Sequence, residues 1–145
     1  MALTTPFETY ERPGLVVAYR MSNVKIYKGA AVGLNTSGHA IPMTHATANL
    51  KFIGIANETV DNSGGSAGGK SISITKSGSF VFKSASGFTP AQTNVGAAAY
   101  CSSDWEVVAS AGGLTNTYQL GTIVAVEATS TAQAGVRVRI DNYTV

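Results

Sequence analysis

At 145 residues the chain has the length of one ordinary domain, enough to bury a real core. Only 12% of it is charged, about half the usual share, and its net charge of +2 comes with no run of three basic residues, so the electrostatic footprint of a nucleic-acid binder is missing. No stretch reaches the length of a transmembrane helix, and the single cysteine, Cys101, has no intrachain partner and is expected as a small buried apolar side chain.

Ser, Thr, Asn, Gly and Ala replace the missing charges. A polar, weakly charged exterior suits a body covered by partner subunits, whose interface cores are depleted in charge. The bland alternative is a Ser/Thr-rich β protein with an ordinary surface.

In chain order, residues 1–14 read as an extended arm, because Pro6 and Pro13 push the residues before them toward extended geometry and no helical or strand period is present. Glu8 and Glu11, with only Leu15 to Tyr19 as an apolar run, give no expectation of a secretory signal. Phe7 and Tyr10 are unlike the composition of a disordered tail, so the arm is expected to dock, with Arg12 at its end. Strands are expected over Leu15 to Tyr19, Val24 to Tyr27 and Gly29 to Leu34, the last turning at Asn35 to Gly38. From His39 to Asn49 the chain reads as irregular, with one helical turn over Thr44 to Leu50.

Phe52 to Ala56 is apolar at consecutive positions, as for a strand buried on both faces. Asp61 to Gly69 reads as a flexible glycine-rich loop, and Ser71 to Thr75 alternates strictly, as a half-buried strand does. Ser79 to Lys83, Trp105 to Val108, Leu120 to Ala125 and Val136 to Ile140 are the remaining strands, and no segment carries a long helical stripe. The expectation is an all-β fold: a single small β-barrel or sandwich-like domain over residues 15–145, with the arm extended from it.

One cassette also reads as used twice, over residues 28–75 and 95–141. Gly29 and Gly96 lie 67 positions apart, as do Gly54 and Gly121, while Gly69 and Gly135 lie 66 apart. These glycines are expected at turns or bulges, since a glycine within an apolar run marks a bend or a close backbone approach.

Several motifs invite chemistry. Gly64 to Ser71 satisfies the phosphate-loop pattern letter for letter, but that motif needs a helix beginning at Lys70, and the period-two run Ser71 to Thr75 follows instead. His39 and His45 lack a Cys, Asp or Glu between Tyr27 and Thr47 to complete a metal site. Cys101 has no activating base, and Glu58, Asp61, Asp104, Glu106, Glu127 and Asp141 sit at turns or strand ends rather than as a paired acid and base. The expectation is therefore no catalytic residue, no metal and no cofactor. Arg137 and Arg139 project from one face of an alternating strand with Asp141 continuing the row, either as a solvated face or as guanidinium groups meeting a partner. With Phe7, Tyr10 and Arg12 they form the expected interface set. Tyr118, Tyr143 and Trp105 read equally as core or interface anchors.

The ordered series Gly29 to Val32, Phe52 to Ala56, Ser77 to Phe80, Val95 to Tyr100, Leu120 to Ile123 and Gly135 to Ile140 resembles the capsid cement, or decoration, proteins of tailed bacteriophages. The resemblance covers most of residues 28–140 and lies in order and spacing. It implies a structural protein of the virion, made in the host cytoplasm and bound as a homotrimer to the outer surface of the head. There such proteins clamp neighbouring major capsid subunits, with no nucleic acid and no membrane as partner. The longer arm and the loop from Asp61 to Gly69 depart from the typical member, and no contact residue carries over. The competing expectation is a carbohydrate- or receptor-binding module of a phage fibre or spike, stacking sugars on Trp105, Tyr100 and Tyr118.

Overall fold

The computed structural model describes residues 14–127, 135–141 and 143–145. The expected arm falls outside them, apart from Gly14. Among the described residues the protein is all-β, with twelve strands and a single 3-10 turn at Gln92–Asn94.

Five strands form the first sheet: β1 (Val16–Arg20), β3 (Ala31–Leu34), β4 (Ala40–Pro42), β5 (Lys51–Ala56) and β7 (Ser71–Thr75), in the order β1-β7-β5-β3-β4. Met21, just past β1, bridges Ala40 in parallel, so the sheet curls until its two edges touch at one point. Five further strands close a barrel: β8 (Ser79–Ser84), β9 (Ala98–Cys101), β10 (Glu106–Val108), β11 (Gln119–Glu127) and β12 (Gly135–Arg139), in the order β10-β8-β12-β11-β9. Strands β2 (Lys25–Ile26) and β6 (Val60–Asp61) pair as a short ribbon beside the first sheet.

The two modules share one wiring. β1, β7, β5, β3 and β4 follow one another as β8, β12, β11, β9 and β10 do, and a parallel contact joins the last strand to the first in each. Backbone hydrogen bonds recur at the 67-residue offset: the Gly29 N–H donates to the Ala56 carbonyl and the Gly96 N–H to the Ile123 carbonyl, each at 2.8 Å. The Ala56 and Ile123 N–H groups donate in turn to Ala30 and Ala97. This recurring unit begins at β1 and β8, earlier than the sequence cassettes, because those strands carry no glycine to mark them. The pairing of Gly69 with Gly135 is corrected. Gly135 opens β12 opposite Lys83, whereas the residue opening β7, opposite Arg20, is Ser71.

The glycines explain the shared geometry. In β5 the register slips between Val32 and Gly33, which leaves Ile53 as an extra residue; in β11 it slips between Gln119 and Gly121, leaving Leu120. Each bulge drives its aliphatic side chain fully inside. The glycine that follows is needed for close approach: a β-carbon at Gly54 would overlap the Thr75 carbonyl oxygen, and one at Gly121 the Arg139 carbonyl oxygen. Gly29 and Gly96 adopt φ of 87° and 92°, turns that an L side chain resists.

Two apolar clusters follow. Val32, Ile53, Ile72 and Ile74 fill the first sheet's interior with Met21 and Ala40. Ala99, Leu120, Ile123, Val136 and Val138 fill the barrel. Their cluster continues into Ala31, Met43, Leu50, Phe52 and Ile55, on the outside of the first sheet, so the two modules are packed together through apolar contact. Burying a residue of the size of Phe52 or Ile55 contributes about 1.5–3 kcal/mol.

Three local expectations differ from the structure. His39 to Asn49 contains strand β4, because Pro42 sits on a strand paired only to β3 on its ladder side, where its missing N–H is tolerated. No helical turn forms over Thr44 to Leu50. That segment is held open by the other module: the Tyr118 hydroxyl donates to the Thr47 carbonyl (2.7 Å) and accepts the Leu50 N–H (3.2 Å). The Asp61 to Gly69 loop is not a loose tether, since Asn62, 2% exposed, donates its amide to the Ser22 (2.8 Å) and Ser66 (2.9 Å) carbonyls and organises the loop around itself.

Candidate functional site

The phosphate-loop match has no helix behind it. Lys70 donates its ammonium to the Asp61 carbonyl (2.7 Å) and Ser71 begins β7, so neither the helix dipole nor its free amides face the glycines. Cys101 is buried in the barrel, and burial, reinforced by the neighbouring Asp104, pushes its thiol up to about 12. At neutral pH that thiol is protonated and inert. Burial also raises Asp104, and the charge of Glu106 adds to the shift. The Asp104 carbonyl accepts the Ala31 N–H across the module boundary (2.6 Å).

His45 serves the same boundary. Its Nδ1 accepts the Thr115 N–H (3.1 Å), and its carbonyl accepts both the backbone N–H (3.0 Å) and the side-chain amide (2.8 Å) of Asn116. His39 is half-buried at the end of the β3–β4 turn, where Asn35 Oδ1 accepts the Ser37 and His39 N–H groups. Among the described residues no three His, Cys, Asp or Glu side chains are grouped to hold a metal ion. The carboxylates are engaged locally. Glu58 accepts the Ser73 N–H (3.1 Å), and hydrogen bonds from the Ser63 hydroxyl (2.6 Å) and backbone N–H (2.9 Å) hold Asp61 below the usual carboxylate range.

The outside of β8 and β12 is where the chemistry-bearing side chains gather. Arg137 and Arg139 both project outward on β12, as the alternation requires, and both are exposed. Each has a carboxylate partner: Arg137 meets Glu127 at 2.5 Å, and Arg139 meets Asp141 at 2.8 Å. Asp141 also accepts the Gly78 N–H (2.5 Å), and these two donors lower its carboxyl. Val81 lies opposite Arg137 on β8, and Lys83 comes two residues later on the same face. The Lys83 ammonium sits 4.5 Å from the centroid of the Trp105 ring and 3.5 Å from Glu106. Sequence reasoning found the two arginines by their period of two. It passed over Val81 and Lys83, whose strand gives no sign of being β12's neighbour.

Phe7, Tyr10 and Arg12 lie outside the described residues. The three aromatic residues of the sugar-stacking expectation do not act together. Trp105 is exposed with Lys83 over its ring, Tyr118 spends its hydroxyl on the module boundary, and Tyr100 is half-buried in β9. Tyr143 packs partly buried against the barrel core. Beside Arg139 a shallow groove of about 210 Å³ runs between Thr122, Val124, Asp141 and Tyr143.

No family model matches the sequence, and no match was found among the curated proteins or the solved structures.

Proposed function

We propose that the chain is a structural, non-catalytic subunit of a tailed-phage virion. It binds the outside of the head as a homotrimer and reinforces contacts between major capsid subunits. The observation that supports this best is the contrast between the inside and the outside of the two modules. Their interiors and bulges correspond position by position, as a rigid body needs, while many ionisable and aromatic groups are spent on local anchoring and a cluster of them stands on the outer face of β8 and β12.

A cement subunit needs rigidity and several simultaneous footholds rather than a cleft. Three linked copies, each gripping a different capsid subunit, gain affinity by avidity of about 10²–10⁴ without any new contact. The arm, residues 1–14, would supply one foothold through Phe7 and Tyr10.

The test combines mass and location. The purified chain should elute at trimer mass and co-sediment with expanded heads prepared without it. A chain lacking residues 1–10 should fold yet no longer sediment with them. A monomer that stays in the supernatant with every head preparation would overturn the proposal.

A further inference from the structure

The two modules act as an internal control on each other, because register assigns each outer position of the barrel a counterpart in the first sheet. Ile55 pairs with Thr75 as Thr122 pairs with Arg139, and Thr75 pairs with Val16 as Arg139 pairs with Ser79. On that correspondence Arg137 and Arg139 stand where the first sheet has Ser73 and Thr75, and Val81 stands for Ala18. Trp105, at the β9–β10 turn, stands for Gly38 at the β3–β4 turn. Only Lys83 has a counterpart of its own kind, Arg20; at the other positions the fold's demands are met by Ser, Thr, Ala and Gly, so Arg137, Arg139, Val81 and Trp105 serve something other than folding.

They are also displayed. Trp105 is 51% exposed and Val81 56%, and the two lie on adjoining positions linked through Lys83, whose N–H donates to the Trp105 carbonyl (3.0 Å). In each ion pair the cation is the more open partner: Arg137 has 49% of its side chain exposed against 26% for Glu127, and Arg139 61% against 28% for Asp141. Exposed pairs of this kind add little stability. A guanidinium has five N–H donors, and one carboxylate contact leaves most of them facing out. Trp and Arg around an apolar centre is the composition of an interface hot spot.

We propose that this outer face of β8 and β12, with Trp105, is a docking surface for a protein that presents carboxylates and backbone carbonyls. Resting on the function proposed above, that protein is the capsid shell. The barrel meets the shell, and the equivalent face of the first sheet, where Ser71, Ser73 and Thr75 lie beside Val16, Ala18 and Arg20, does not. Charge complementarity decides between partners: the outward donors are cationic, while the acidic partners lie beneath them.

The experiment measures binding to heads prepared without the chain, for four proteins of confirmed melting temperature. These are the wild type, W105A, R137Q/R139Q and the first-sheet control S73A/T75A. Glutamine is used because acidic residues there would face Glu127 and Asp141. Wild type and control should bind alike, W105A and R137Q/R139Q each at least about tenfold more weakly, and only R137Q/R139Q with a reduced dependence on salt. Folded W105A and R137Q/R139Q that bind as tightly as wild type would overturn the docking face while leaving head binding intact. A wild type that does not bind would instead remove the proposed function. Loss in W105A alone, accompanied by glycan binding, would assign the face to a sugar and overturn the proposal.

Discussion

The first sheet and the barrel differ most where they look outward through β3 and β5, or through β9 and β11. In the first sheet that surface is Ala31, Met43, Leu50, Phe52 and Ile55, buried against the barrel. At the corresponding places the barrel has Ala98, Ser110, Thr117, Gln119 and Thr122, none of them buried. A repeat that stacks on a neighbour needs an apolar outer face, whereas one that ends the stack needs a polar one. The same strand plan has therefore been finished differently on its two copies: the first presents grease to the second, and the second presents hydroxyls and an amide outward. Even the packing glycine follows this rule, since Gly33 leaves room for the Met43 sulfur, whereas the corresponding positions of the barrel hold Tyr100 and the small Ser110.

The comparison breaks most readily at what the modules share. G54A and G121A should each destabilise the chain by about 3 kcal/mol or more, or prevent folding, because the new methyl group meets a partner-strand carbonyl. G54A should be the worse, since Gly54 also has φ of 134° while Gly121 does not need a positive φ. Urea titration of both, with G112A as a near-neutral reference in more open space, gives the ordering. Equal stability of G54A and wild type would mean that the close approach is not required.

An exchange across the repeat sharpens what the modules do not share. F52Q places the barrel's residue in the first sheet and should cost about 3 kcal/mol, the order of losing a buried aromatic side chain. The reverse change, Q119F, meets half-open surface and should move stability by less than about 1 kcal/mol. Denaturation midpoints read both, and a large loss from Q119F would show that the barrel's outer face is constrained after all.

The smallest effect is pH dependence, with opposite signs in two carboxylates. Asp104 is raised by burial, so the folded state holds its proton more tightly than the unfolded chain; the stability it contributes is present below its ordinary value of 3.8 and is lost as pH rises through the raised value. Asp141 is lowered by the Gly78 N–H and Arg139, so its contribution is present above 3.8 and is lost as pH falls through the lowered value. Between pH 3 and pH 7 the melting curves of D104N and D141N should approach wild type toward the acid end and part from it as pH rises, D104N toward higher stability and D141N toward lower. Parallel curves would remove the proposed role of both groups.

The strands were legible wherever apolar residues alternated or ran together, as in Ser71 to Thr75 and Phe52 to Ala56. Glycine spacing marked the turn at Gly29 and Gly96, which needs a positive φ, and the bulge at Gly54 and Gly121, where backbone close to another strand tolerates no side chain. Strand β4 was hidden by Pro42, whose missing N–H is harmless because its nitrogen points away from β3, the ladder being carried by neighbours such as the Met43 N–H to the Ala31 carbonyl. The loop around Asn62 was hidden because a buried amide looks the same in sequence as a solvated one. Of the candidate surface, Arg137 and Arg139 were visible from their alternation, but Trp105, Lys83 and Val81 join them only through the β8–β12 pairing and the parallel β8–β10 contact.

Local patterning by itself determined that this chain is built of short strands, that its thiol is internal, and where its backbone must bend, since period and glycine geometry act over a few neighbouring residues. Tertiary structure decided that one plan is folded twice, that the first copy's outer face becomes core, and that two arginines share a surface with a tryptophan more than thirty residues away. Those outcomes depend on which strand lies beside which, and strand pairing joins residues whose separation along the chain leaves no periodic trace.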